Sequence, residues 1–117
     1  MSHAGDLARS SLIDREVVGW PGITAHLHRF GGTEYRLGRR EIGHVHGETL
    51  VDVPLPRRVR DQLIESGTAQ PHHVLPDSGW VSVPLRAPGD VAVAVGILRQ
   101  SYDLARAQRR RRNGTAR

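Results

Sequence analysis

Residues 23–53 constrain this chain more than any other segment, because apolar side chains recur there at every second position and glycines interrupt them at short intervals. Ile23, Ala25 and Leu27 alternate with Thr24, His26 and His28, the pattern of a strand with one buried face. Gly31-Gly32, Gly38-Arg39-Arg40 and Gly47-Glu48 punctuate the runs that follow; the first reads as a two-residue hairpin and the last as a type II′ turn. Connections this short leave no room for a crossover helix, so the segment predicts a meander of three or four antiparallel strands.

The flanks read as helices. Residues 6–18 carry Leu7, Leu12, Ile13, Val17 and Val18 near a helical period, with Gly19 and Pro21 as the stop. Pro54 and Pro56 end the meander, since neither can donate to a ladder. Residues 57–66 predict a second helix with Val59, Leu63 and Ile64 inward, closed by Gly67. A loop over 68–79, briefly extended at 72–75, leads to a last strand over 80–85. Pro88 then opens a final helix whose stripe is Val91, Val95, Leu98, Tyr102 and Ala105. The order is helix, three or four strands, helix, strand, helix: an α+β fold, an antiparallel sheet with helices on one face and the other face open. At 117 residues the chain allows one such domain, residues 1–105, followed by an Arg-rich tail over 106–117 that either extends the last helix or is disordered.

Charge separates body from tail. All 17 basic residues are Arg against 12 acids, a net charge of +5. Eleven of the Arg lie in residues 1–105 with every acid, so the body is close to neutral and the tail is strongly basic. Arg36, Arg39 and Arg40 with the tail's Arg109, Arg110, Arg111 and Arg112 form a candidate nucleic-acid surface, because guanidinium binds phosphate in bidentate fashion. A GC-rich coding sequence also favours Arg over Lys, and a solvated basic terminus needs no partner. The absence of Cys excludes disulfides, thiol catalysis and Cys-ligated metal sites. No stretch has the apolar length of a signal segment or a membrane span, so a cytoplasmic protein without a membrane partner is expected.

The histidines come in pairs. His26 and His28, and His44 and His46, stand two apart and share a strand face; with Glu34 or Asp52 they are candidate ligands for zinc, nickel or iron. His72 and His73 open a segment running from Pro71 to Trp80 in which Asp77-Ser78-Gly79 is turn chemistry. A Ser-His-Asp set can be assembled from Ser78, His44 or His73, and Asp52 or Asp77, but no nucleophile elbow accompanies it. Gly31-Gly32 lacks the spacing and the following helix of a phosphate loop.

The run Gly31-Gly32-Thr33-Glu34-Tyr35-Arg36-Leu37-Gly38-Arg39-Arg40-Glu41-Ile42-Gly43-His44-Val45-His46-Gly47, the segment Pro71-His72-His73 through Ser78-Gly79-Trp80, Asp52 to Asp61, and Ser101-Tyr102-Asp103 resemble small bacterial proteins labelled as a luciferase family. More distantly, Ser101-Tyr102-Asp103-Leu104 is similar to a run in the final helix of the MmcQ/YjbR double-wing group. In that group a His-Trp pair opens the last strand, whereas here Gly79 precedes Trp80. The second resemblance implies nucleic acid as a partner.

The first expectation is therefore a ligand- or protein-binding module without catalysis of its own, using the open sheet face and loop 71–80. Its site residues are His44, His46, His72, His73, Asp77, Ser78 and Trp80. The rivals are a nucleic-acid-binding protein and a His-dependent metalloenzyme with metal candidates His26, His28, His44 and His46. No cofactor is identifiable from sequence, and a one-sided sheet also permits a homodimer.

Overall fold

The computed structural model describes residues 8–28 and 31–115. Helix α1 (Arg9–Val17) leads into strands β1 (Ile23–Leu27), β2 (Thr33–Leu37), β3 (Arg40–His46) and β4 (Leu50–Pro54). Helix α2 (Arg57–Glu65), the short strand β5 (Gln70–Pro71), β6 (Trp80–Pro84) and helix α3 (Gly89–Thr115) complete the chain. Every strand pairing is antiparallel, and the sheet order is β1-β2-β3-β4-β6-β5. This is the α+β meander fold, with two strands added beyond β4. No described helix is long and apolar enough to cross a membrane.

One face of the sheet is covered by α1 and α3. Tyr35, Val45, Val51, Val53, Val81 and Val83 are buried there against Ile13 and Val17 of α1 and Ala94, Ile97, Leu98 and Tyr102 of α3. Hydrogen bonds fix the layers: the Tyr35 hydroxyl donates to Asp14 at 2.9 Å, and the Tyr102 hydroxyl to the Pro21 carbonyl at 2.6 Å. Helix α2 lies beside β5 and β6, where Val59, Leu63 and Ile64 rest partly buried on the core.

Five local expectations are corrected. Helix α1 buries Ile13 and Val17 but leaves Leu12 and Val18 exposed, because only a narrow stripe faces α3; Leu7 lies outside the described residues. Strand β1 is not half-buried: it is an edge strand beyond the reach of the helices, and Leu27 is 86% exposed. The β1–β2 hairpin is wider than two residues, since Leu27 pairs with Thr33 and the His28 N–H bonds the Gly32 carbonyl across the turn. The extended stretch after α2 is Gln70–Pro71, not 72–75, because the loop turns back on itself at His72. The β3–β4 turn keeps Gly47 at φ +52 and the Thr49 N–H on the His46 carbonyl, but His46 pairs with Leu50, so three residues and not two separate the paired positions.

Between Tyr35 and Arg36 the β2–β3 register slips by one residue, with the extra residue on β3. Ile42 and Gly43 both turn toward the helices: Ile42 is fully buried, and a Cβ at Gly43 would stand 2.5 Å from Leu98 Cδ2 and 2.8 Å from the Asp52 carbonyl oxygen. Gly43→Ala is therefore expected to destabilise the fold by about 1–3 kcal/mol, as overpacking does. Urea unfolding measures this; an unchanged midpoint would refute the close approach.

Candidate metal centre on the open sheet face

Register carries the open face. His26, Glu34, His44, Asp52, Ser82 and Gln70 stand directly across from one another along the row from β1 to β5, on the side away from α1 and α3. His46 joins the row two residues along β3. The bulge adds Glu41. Strict alternation would send Glu41 to the helix side, but the extra residue returns it to the open face opposite Arg36. There its carboxylate accepts the Nδ1–H of His44 at 2.6 Å.

Loop 72–79 folds over the row. The His72 Nδ1 accepts the backbone N–H groups of Val74 and Leu75 at 3.1 and 3.0 Å. The Ser78 hydroxyl donates to the Leu75 carbonyl at 2.7 Å and accepts the Trp80 N–H at 3.2 Å. Arg60 of α2 donates to the Pro76 carbonyl and holds the loop from outside.

The loop brings a second histidine pair onto the same carboxylate. Around Asp52 Oδ2 stand the Nε2 atoms of His46 at 2.8 Å, His73 at 3.1 Å, and His44 and His72 at 3.3 Å each. The Ser82 hydroxyl donates to Oδ1 at 2.6 Å. Asp52 is fully buried beneath them. A carboxylate oxygen has about two lone-pair directions, so four imidazoles exceed what hydrogen bonding at Oδ2 can satisfy. Burial opposes ionisation of Asp52, yet hydrogen bonds from His44, Ser82, His46 and His73 hold its carboxyl well below the usual range. Burial likewise disfavours the imidazolium of His44, but hydrogen bonds to Asp52 and Glu41 outweigh it and raise its pKa to about 9. Burial lowers the pKa of His72.

These groups floor a cleft of about 410 Å³ walled by Trp80, Val74 and Leu75. Of the residues expected from sequence, His28, His44, His46, His72, His73 and Trp80 line it, and the His28 ring stacks on His44 with centroids 4.3 Å apart. His26 stays on exposed β1, bonded to the Thr24 hydroxyl. Asp77 is exposed outside the cleft lining, and the Ser78 hydroxyl is engaged within its own turn. Glu34 is paired with Arg36 and not with a histidine. Glu41 and Ser82 were not expected; the bulge hid the first, and nothing in the pattern marked the second. Another concavity, of about 400 Å³ beside α2 and β5, has among the described residues only Arg86 and Asp90 as charged groups, and Asp90 already accepts two backbone N–H groups.

Among the described residues two donor triads could hold a metal ion, His44-His46-Asp52 and Asp52-His72-His73, each with its atoms within 4.8 Å of one another. Ligands bound to one ion at about 2.0–2.2 Å lie roughly 2.8–3.6 Å apart, the spacing seen around Oδ2. The triads are not equivalent. A neutral imidazole has one N–H, and because the His72 Nδ1 accepts two backbone donors, its proton sits on Nε2. That nitrogen donates to Asp52 and has no lone pair for a metal. In the neutral form of His44 the proton on Nδ1 is held by Glu41, so that Nε2, once it gives up its own proton, can coordinate, the carboxylate–imidazole arrangement that orients metal ligands.

The raised pKa of His44 has a measurable consequence in metal-free protein. Its pairing stabilises the fold fully below pH 6.5, and the contribution is lost as pH rises through about 9. Stability in the presence of chelator is expected to fall by on the order of 3 kcal/mol across that window. In His44→Gln the fall disappears. Urea unfolding at stepped pH measures it, and an equal fall in both proteins would refute the assignment.

No curated protein and no solved structure matches the chain. A family model described as Luciferase domain matches residues 39–101, which contain Glu41, His44, His46, Asp52, His72, His73, Trp80 and Ser82. None of these comparisons carries the MmcQ/YjbR resemblance. The match covers more than half of the 117 residues, and the chain belongs to the Luciferase domain family.

Proposed function

We propose that this chain is a metal-dependent binding module. His44, His46 and Asp52 hold one divalent transition-metal ion at the floor of the cleft, and a small molecule enters between the open sheet face and loop 71–80. The convergence of four imidazole nitrogens on one buried carboxylate oxygen carries this reading. Glu41 and Ser82 orient His44 and Asp52, and His72 donates to Asp52 from beside the ion. His73, half exposed on the loop, faces the ion from the cleft side. The Trp80 ring, 5.3 Å from that of His44, gives a bound molecule an apolar wall.

Protein prepared without a polyhistidine tag, stripped and reloaded with zinc, iron(II), cobalt(II) or nickel(II), is expected to bind one ion per chain. His44→Ala, His46→Ala and Asp52→Asn abolish binding. His72→Gln and Glu41→Gln keep the stoichiometry at one and weaken affinity by roughly 10–100-fold, as outer-sphere changes do. Elemental analysis and competition with a chromophoric chelator read both quantities. Substoichiometric binding of every ion sinks the reading, and loss of the ion in His72→Gln would move it to the other triad.

The donor set favours a second reading. Two histidines and one carboxylate leaving open positions suit iron(II) and oxygen chemistry, and the description of the family as a luciferase domain agrees with oxidation by dioxygen. Nitric oxide, a dioxygen analogue, is expected to bind the iron(II)-loaded protein and to give the electron paramagnetic resonance signal of an iron–nitrosyl. Silence in the iron-loaded protein leaves binding without oxidation.

A further inference from the structure

We propose that the C-terminal half of α3 and the β2–β3 turn form one surface that binds the phosphate backbone of duplex DNA. It lies apart from the metal centre. Helix α3 runs unbroken through Arg106, Arg109, Arg110, Arg111 and Arg112, so the basic run is held on a rigid scaffold. At 27 residues the helix is about 40 Å long, against about 23 Å for the longest strand, and its last described turns are exposed.

The turn supplies the rest. Gly38, at φ +63, brings Arg39 and Arg40 beside the helix, where a Cβ on Gly38 would lie 3.8 Å from an Arg109 Nη1 atom. Two adjoining concavities result, of about 460 and 340 Å³, and both include Arg109. The first adds Arg39, Arg40 and Arg112, the second Arg106 and Arg110, and among the described residues neither wall contains an acid. Among the described residues Arg39, Arg109 and Arg110 form no ion pair, and Arg40 bonds the neutral amide of Gln108. Cations near a helix C-terminus are favoured by its dipole, which accounts for arginines on α3 but not for Arg39 and Arg40 from another element.

The chemistry selects the occupant. The guanidinium groups are spread over two hollows, more than one small anion can span. Among the described residues no aromatic side chain lines either hollow, so the stacking that single strands use is missing there. Among the described residues the exposed large apolar ones, Leu12, Val18, Leu27, Val74 and Leu75, line neither hollow, so these walls lack the wedge that a lipid surface needs. Arg side chains contacting phosphates give affinity that is independent of sequence and steep in salt.

Fluorescence anisotropy of a short mixed-sequence DNA duplex with the full chain, between about 50 and 200 mM salt, tests this. Log affinity is expected to fall linearly with log salt, with a slope that reflects about three to five phosphate contacts. Arg39→Gln and Arg109→Gln each reduce that slope by about one, in proteins whose circular dichroism melts match the parent. Chelator leaves binding unchanged, so failure of the metal reading does not touch this one. The proposal is overturned by no binding at low salt, by an unchanged slope in Arg39→Gln, by equal binding of a single strand, or by capture on phosphatidylserine vesicles in preference to the duplex.

Discussion

The site in this protein depends on one buried negative charge. Asp52 sits in the central strand β4 with no exposed surface, and an isolated carboxylate there would be strongly disfavoured. It is tolerated because the Ser82 hydroxyl and four imidazoles from two separate segments surround it. The dependence runs both ways. Without Asp52, the rings of His44 and His46 on the sheet would face each other with nothing to hold, and His72 and His73 of loop 72–79 would lose their partner on the open face. The carboxylate, the four imidazoles and the local fold are therefore one electrostatic unit.

Around that charge the two faces of the sheet divide the work. The helix side is apolar and rigid, with α3 pressed so close on β3 that only Gly43 fits. The bulge beside Gly43 sends Glu41 to the opposite side, where it holds His44. An irregularity of the ladder thus sets the orientation of an imidazole on the open face. The loop uses a second device, the turn at His72, in which two backbone N–H groups fix the tautomer of the ring and so decide which nitrogen carries the proton. Both devices act on imidazoles that the row of strands has already aligned.

Much of this was legible in the residues. The period-two runs and their glycines marked the meander, and the period-two spacing of His44 and His46 put both rings on one side of one strand. What failed did so for identifiable reasons. Leu27 shares the alternation and the edge strand of Ile23, but Ile23 packs on the core while Leu27 lies at the end beyond the helices, and periodicity does not report how far a covering layer extends. His26 and His28 have the same spacing as His44 and His46, yet only His28 reaches the cleft, stacked on His44 from the end of β1. Glu41 was invisible because a bulge breaks the parity on which every facing argument rests. Asp77 and Ser78 looked functional because turn residues and catalytic residues are the same types; here Ser78 closes its turn and Asp77 lies at its exposed surface.

By itself the sequence determined which residues alternate, where the chain turns, and that the positive charge gathers at one end, because these properties follow from local sterics and from composition. Only the tertiary structure decided that His72 and His73 meet His44 and His46 on Asp52, and that Arg39 meets Arg109. Those meetings join segments some twenty to seventy positions apart, through a strand order in which β6 lies between β4 and β5. No local pattern encodes them. They arise from the packing of one apolar face against α3, which fixes where each loop must return.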